Sequence, residues 1–334
     1  MNQTETINDE NKPAGSGERT MRAKIGSILQ QQGALVMLVV VCIIATARYE
    51  AFLTEENLFN VLRQNSMLGL VALGMTFVIL TGGIDLSVGS LLALAGVVAA
   101  YLAPYGVLVA VLGAVAATTL LGLVNGVIIA KARIQPFIVT LAMMIAARGL
   151  VLAITDEKSV RIPADFAEFN WLGRGLIADF VPVPIVILLI FFALGWVILN
   201  YTRFGRHVFA LGDNDEAARL LGLNIDRTAI GVYALSGAMA GVAGVILAAR
   251  LGAGNPVEGF GWELSAIAAV VVGGTLLAGG QGSVVSTLVG VLLLGVIFNL
   301  FNLEGQISPW WQLVLRGVIL LIVVVVQNRL TKLK

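Results

Sequence analysis

Apolar runs long enough to enter a bilayer recur along this chain, divided by short polar stretches. A spanning helix needs about 20 apolar residues to cross a hydrocarbon core about 30 Å thick. On that scale the pattern predicts about ten spans, over 33–48, 58–81, 87–103, 107–130, 136–154, 183–201, 228–249, 264–279, 283–302 and 310–327. Several are short for a full crossing. Glycine and proline interrupt 81–107 and 251–283, so broken or half-length helices are expected there. Hydropathy leaves open whether 252–282 re-enters or spans.

One polar break between apolar runs is different in kind. Residues 203–227 form an island holding four arginines and His207, the chain's one histidine. Its centre reads as a short helix with both ends marked. Asp213 is the expected N-cap, Glu216 follows three residues later as in a capping box, and Gly222 ends the helix in a left-handed turn. Residues 214–221 make a rod of about 12 Å. A capped rod between spans suits a contact through which a partner protein moves the membrane part. An ordinary surface helix in a loop is the plainer alternative.

Composition agrees with the pattern. The 334 residues are 58% hydrophobic and 12% charged, about half the charge of a soluble domain, and the 38 glycines suit close helix packing in lipid. The expected fold class is an all-α polytopic membrane protein. A net charge of +1 gives no electrostatic case for nucleic acid. The single cysteine, Cys42, falls inside a span and packs there. Residues 1–30 are polar and expected to be a disordered cytoplasmic tail, leaving one membrane domain over 31–334. The first span lacks a following cleavage site and is expected to be retained.

Charge orients the stack. With the N-terminus inside, thirteen of the 21 Lys and Arg residues fall on inner segments and five on outer ones, with Arg63, Arg148 and Arg316 inside spans. The positive-inside rule then places both termini and the 203–227 island in the cytoplasm. Asn125 precedes Arg148-Gly149 near one end, and Asn299 precedes Arg316-Gly317 near the other. This echo makes the second to fifth and seventh to tenth spans an inverted repeat, an arrangement that puts a transport pathway at the repeat interface.

Polar residues within the spans carry the remaining chemistry. Asp85 follows Gly82 and Gly83 and precedes Ser87 and Ser90. It is placed to cap the third span, or to shape an inner gate together with Ser87. A mid-membrane carboxylate costs on the order of 3 kcal/mol, so a position near the inner surface is expected. Asn65, Ser66, Thr76, Asn299 and Asn302 serve either a polar solute or helix–helix hydrogen bonds, the latter being preferred residue by residue. The three span arginines are expected to snorkel to headgroups, and Trp310 and Trp311 to form an aromatic belt at the lipid boundary. No GxxxxGK[ST] loop, HExxH motif or paired His/Cys site is present, so the chain lacks its own P-loop and has no metal-site signature. Buried acid–base chains of a proton-coupled carrier are sparse. Transport powered by another subunit uses these absences best.

The string TGGIDLSVGSLLALAG at 81–96 resembles the signature of bacterial ABC sugar-importer permeases. The likeness continues through 137–150, 202–225, 246–256 and 266–283, in one order and spacing, and is strongest to the ribose permease family. Glu216-Ala217-Ala218 with Gly222 is similar to the EAA–G coupling motif of other ABC permeases, without the Ile-x-Leu-Pro that often closes it. The resemblance implies a homodimeric permease in the bacterial inner membrane, driven by a separate ATP-binding cassette subunit that binds ATP and Mg. That subunit is expected to dock on Asp213, Asn214, Glu216, Ala217, Ala218 and Gly222. A periplasmic sugar-binding protein is the expected donor of a monosaccharide, D-ribose by preference. Asn65, Thr76, Asp85, Ser87 and Asn299 are the expected pathway or gate residues. The chain itself is expected to hold no cofactor or metal and to catalyse no covalent step. A self-sufficient secondary carrier or channel is the alternative.

Overall fold

The computed structural model describes residues 33–164 and 166–305 and, beyond these, 308, 311, 314, 315, 317–322, 324 and 325. The N-terminal tail, Trp310 and Arg316 lie outside the described residues. Twelve helices run over Gly33–Arg48 (α1), Glu55–Leu80 (α2), Val88–Leu102 (α3), Val107–Ala132 (α4), Pro136–Thr155 (α5), Ala167–Arg174 (α6), Val183–Tyr201 (α7), Arg203–Asp213 (α8), Asp215–Leu220 (α9), Ile225–Leu251 (α10), Trp262–Val272 (α11) and Val284–Glu304 (α12). The described residues between 314 and 325 are helical as well. Among the described residues seven helices, with α3 continued through a 3-10 turn to Tyr105, are long and apolar enough to cross a membrane.

Local signals set the boundaries. Thr54 caps α2, its hydroxyl accepting from Asn57 N at 3.4 Å, and Glu55 and Glu56 favour the helix N-terminus. Pro136 opens α5 at the position where its missing N–H costs nothing. The eighth expected span is corrected: helix α11 stops at Val272, not 279, because Gly273 and Gly274 turn the chain.

Burial separates centre from periphery. Over their most apolar stretches α2 and α3 are 72% buried and α10 67%, while α4 and α5 are 22% buried. The outer helices thus present leucine, isoleucine and phenylalanine to lipid. Helix α4 turns inward only a stripe of small residues, Ala110, Ala114, Thr118, Gly122, Gly126 and Ala130, together with Asn125. Against it, the α10 backbone comes so near that a Cβ on Gly126 would stand 2.6 Å from Ile230 Cα. This is small-residue packing of the kind that joins helices in lipid, where no hydrophobic force acts between them.

Two re-entrant segments give the bundle its inverted character. Helix α2 ends beside α8, since Gly280 N donates to Leu80 O at 3.0 Å and Gly212 packs on the same carbonyl. The chain then runs back inside as 81–87 before α3 starts. Helix α10 begins at that end, just after α9, and finishes at the other, where 253–254 pairs with 160–161 in a two-stranded ribbon. From there 252–261 descends along α3, with Gly254 against Gly96 and Gly259 against Gly89, and α11 follows. Each half thus has a long helix, a non-helical return and a shorter helix, in opposite senses. The 252–261 stretch is re-entrant.

Candidate functional site

The first return segment carries a buried polar knot. Gly82, at φ 76°, adopts the left-handed turn that ends α2. Asp85, fully buried, accepts from Ser87 N at 3.0 Å and Ser87 Oγ at 2.6 Å on one oxygen. Its other oxygen accepts from Ser236 Oγ at 2.8 Å. Asn125 Nδ2 donates to Ser87 Oγ at 3.1 Å, and Thr140 Oγ1 to Ile84 O at 3.1 Å. Four helices are thereby tied to one non-helical strand of chain. The expected depth of Asp85 is corrected. Ser236 stands eleven residues into α10, about 16 Å from its start, so the carboxylate lies well inside the bundle. Three donors offset the cost of that burial.

The 203–227 island is two helices, and the first was not expected. Thr202 caps α8, its Oγ1 accepting from Gly205 N at 3.2 Å. Gly205 and Val208 are buried beneath α8, and Phe204 stacks on Phe77 with ring centroids 6.4 Å apart. The cap of the short helix is also corrected. Asp213 closes α8, and Asn214 caps α9, its Oδ1 accepting from Ala217 N at 2.9 Å. Position N3 is then Ala217, so Glu216 forms no capping box. Gly222 does end the helix, at φ 78°, with Gly222 N to Arg219 O at 2.9 Å and Leu223 N to Ala218 O at 3.1 Å, a Schellman closure. Ala218 faces inward, whereas Glu216 and Ala217 are exposed. Leu220 and Leu221, absent from the expected contact set, are 90% and 78% exposed. Asp226, at the start of α10, pairs with Lys131 of α4 at 2.9 Å and with Arg219 of α9 at 3.8 Å.

The end of α8, from which α9 follows, meets the bundle backbone to backbone. A Cβ on Gly212 would overlap Leu80 O and stand 2.6 Å from Gly280 N. One on Gly279 would lie 2.8 Å from Gly82 N and 3.0 Å from Gly212 O. The end of α2, the end of α8 and the 279–280 turn thus meet without intervening side chains. A cavity of about 910 Å³ opens beside this joint, with Arg133, Asp213, Asn214, Glu216, Arg219 and Tyr233 on its walls.

A second cavity, of about 480 Å³, lies towards the opposite end between α2, α10, α11 and α12. Of the five expected pathway residues only Asn65 and Asn299 reach it. Asn299 is engaged in a reciprocal amide pair with Asn57, at 3.1 and 2.8 Å. Thr76 is fully buried and meets Thr287 hydroxyl to hydroxyl at 2.8 Å. These two residues bridge α2 to α12, and Asp85 and Ser87 belong to the knot described above. Trp262, Arg250 and Gln64 line the cavity and were not singled out by the sequence. Arg148 does not snorkel; it donates to the carbonyls of Pro256 and, at 2.8 Å, Glu258, holding the second return segment.

A polytopic bundle with paired re-entrant segments and a capped helix outside it defines a membrane permease. The chain belongs to the family described as branched-chain amino acid transport system / permease component, whose model matches residues 57–324. It is a transporter subunit of the ABC importer class and not an enzyme. It is 46% identical over 308 residues to the ribose import permease protein RbsC of Escherichia coli K12, covering 90% of this chain and 94% of the relative. It is 40% identical over 310 residues to RbsC of Bacillus subtilis, covering 92% and 96%. The L-arabinose transport system permease protein AraH of Escherichia coli K12 is 38% identical over 318 residues, covering 93% and 94%. No solved structure matches the chain.

Proposed function

We propose that this chain translocates D-ribose across the bacterial inner membrane as the permease of an ATP-binding cassette importer. The substrate rests on the two ribose permeases at 46% and 40% identity, against 38% for the arabinose permease. Two copies form the membrane core. The α8–α9 end faces the cytoplasm with both termini, and a periplasmic sugar-binding protein delivers ribose at the opposite end. ATP and Mg are bound by the partner ATPase, which docks on α9 through Asn214, Glu216, Ala217, Leu220, Leu221 and Gly222, while Asp213 and Ala218 seat the helix on the bundle.

The observation that carries this reading is the side-chain-free joint at Gly212. Closure of the ATPase pair displaces α9, and the joint passes that displacement to α2 and to the 279–280 turn without slack. Packed backbones have discrete arrangements, so the response is a switch between outward and inward access. The knot at Asp85 keeps α3, α4, α5 and α10 together as the ends of the bundle move.

Uptake of labelled ribose into proteoliposomes is the test. The expected result is flux only with the ATPase, the binding protein and ATP all present. Flux from this chain alone would show a self-sufficient carrier and overturn the proposal.

A further inference from the structure

We propose that the 480 Å³ cavity is a sugar-reading site within each protomer, in which Trp262, Arg250, Gln64 and Asn65 contact a neutral monosaccharide in transit. The inference rests on the importer reading above and adds the place and the residues at which the cargo is sensed.

The volume lies inside the range of about 300–1,000 Å³ usual for small-molecule sites. The lining has the two-sided chemistry of a pyranose or furanose ring. Trp262 supplies aromatic surface for the C–H side of the sugar, and amide and guanidinium groups of the same lining serve the hydroxyls. Among the described residues no carboxylate is on the walls and Arg250 is their one charge, a composition that disfavours cationic cargo and suits a neutral polyol.

The backbone fixes each of these groups. Arg174 Nε donates to Arg250 O at 2.7 Å, and a Cβ on Gly173 would stand 2.6 Å from Arg250 Cα, so the main chain at Arg250 is clamped from outside. Its guanidinium forms no salt bridge among the described residues. Gly261, at φ 76°, sets the turn that makes Trp262 the first residue of α11. Asn65 Nδ2 is held by Val61 O at 2.7 Å, and its carbonyl oxygen is left to accept. Room for that amide exists because position 295 is glycine; a Cβ there would lie 2.7 Å from Asn65 Oδ1. Gln64 is exposed at the rim and supplies both a donor and an acceptor.

The site is built for passage rather than retention. Asn299 is engaged by Asn57, so on the α12 wall its amide contributes shape more than hydrogen bonds. A sugar met by one planar cation, two amides and one indole is selected without being trapped.

The test uses the complete importer in proteoliposomes, in a Cys42→Ser background that removes the chain's only thiol. Gln64→Cys then places a single thiol at the cavity rim. D-Ribose at millimolar concentration is expected to slow its reaction with a water-soluble maleimide at least threefold, and sorbitol to leave it unchanged. Equal slowing by both, or by neither, overturns the site. In parallel, Trp262→Ala is expected to lower ribose moved per ATP hydrolysed about tenfold, with Trp262→Phe retaining most of it. Wild-type transport with unchanged stoichiometry in Trp262→Ala sinks this site and leaves the importer intact; no ATP-dependent uptake by the wild type sinks the importer reading itself. Where Trp262→Ala fails to insert, the protection experiment decides alone.

Discussion

Gly212 rests directly on the carbonyl of Leu80, the same oxygen that accepts the N–H of Gly280 at 3.0 Å. One acceptor thus receives the end of α8 and the turn before α12. A methyl group at position 212 has nowhere to go, because the obstacle is main chain and not a movable side chain. Gly212→Ala is expected to insert and to bind the ATPase, yet to cut ribose moved per ATP at least tenfold. Paired uptake and ATPase measurements read this out, and equal losses in both would show simple misfolding instead.

Asn214 and Asp213 give opposite forecasts although they are neighbours. Removing the true cap of α9 with Asn214→Ala should cost about 1 kcal/mol of local helix stability and speed amide exchange across 217–219. Asp213→Ala leaves the cap bond from Ala217 N intact and should leave exchange there within twofold. Hydrogen exchange in detergent separates the two.

Leu220 ends a six-residue helix that also carries Asp215, Glu216 and Arg219, Leu221 is its C-cap, and both leucines are exposed. Exposed side chains contribute little to folding, whereas an anchor buried at an interface commonly carries 2 kcal/mol or more, a loss of roughly thirtyfold in affinity. The double variant Leu220→Ser with Leu221→Ser should keep its thermal midpoint and lose ATPase in co-purification. A retained complex would remove both leucines from the docking surface.

Asp85→Leu strands the buried donors of Ser87 and Ser236. Each unsatisfied group costs about 1–3 kcal/mol, so the thermal midpoint of the solubilised chain should fall by several degrees. Ser236→Ala removes one donor of three and should cost less than half as much. Differential scanning fluorimetry compares them directly.

Most of the helices were legible because lipid demands long apolar runs, and Gly222 announced its turn by having no Cβ. Helix α8 was not, since its inward residues Phe204, Gly205 and Val208 are sparse among arginines and look like loop. The cap moved by one residue for the same reason: Asp213 and Asn214 are both good caps, and only α8 decides that Asp213 already belongs to a helix. The depth of Asp85 was hidden because hydropathy counts residues as if they climbed 1.5 Å each, while 81–87 runs back inside as turns and non-helical chain. Thr76 and Asn299 could be recognised as polar, but their partners Thr287 and Asn57 are 211 and 242 residues away. The second cavity draws on four helices, so Trp262 and Arg250 had no shared local signal to betray them.

Helix α2 touches both working ends of the molecule. Leu80 sits in the joint beside α9, and Asn65 on the wall of the second cavity, fifteen residues or about 22 Å apart on one unbroken helix. Between them every residue from Gly69 to Leu80 is buried, so the segment has no room to bend. A tilt of about five degrees at one end would move the other by about 2 Å, roughly the difference between a hydrogen bond kept and one lost. Cargo on one side of the membrane and nucleotide on the other would then report to each other through a single lever, with no chain of side-chain messengers to be interrupted along the way.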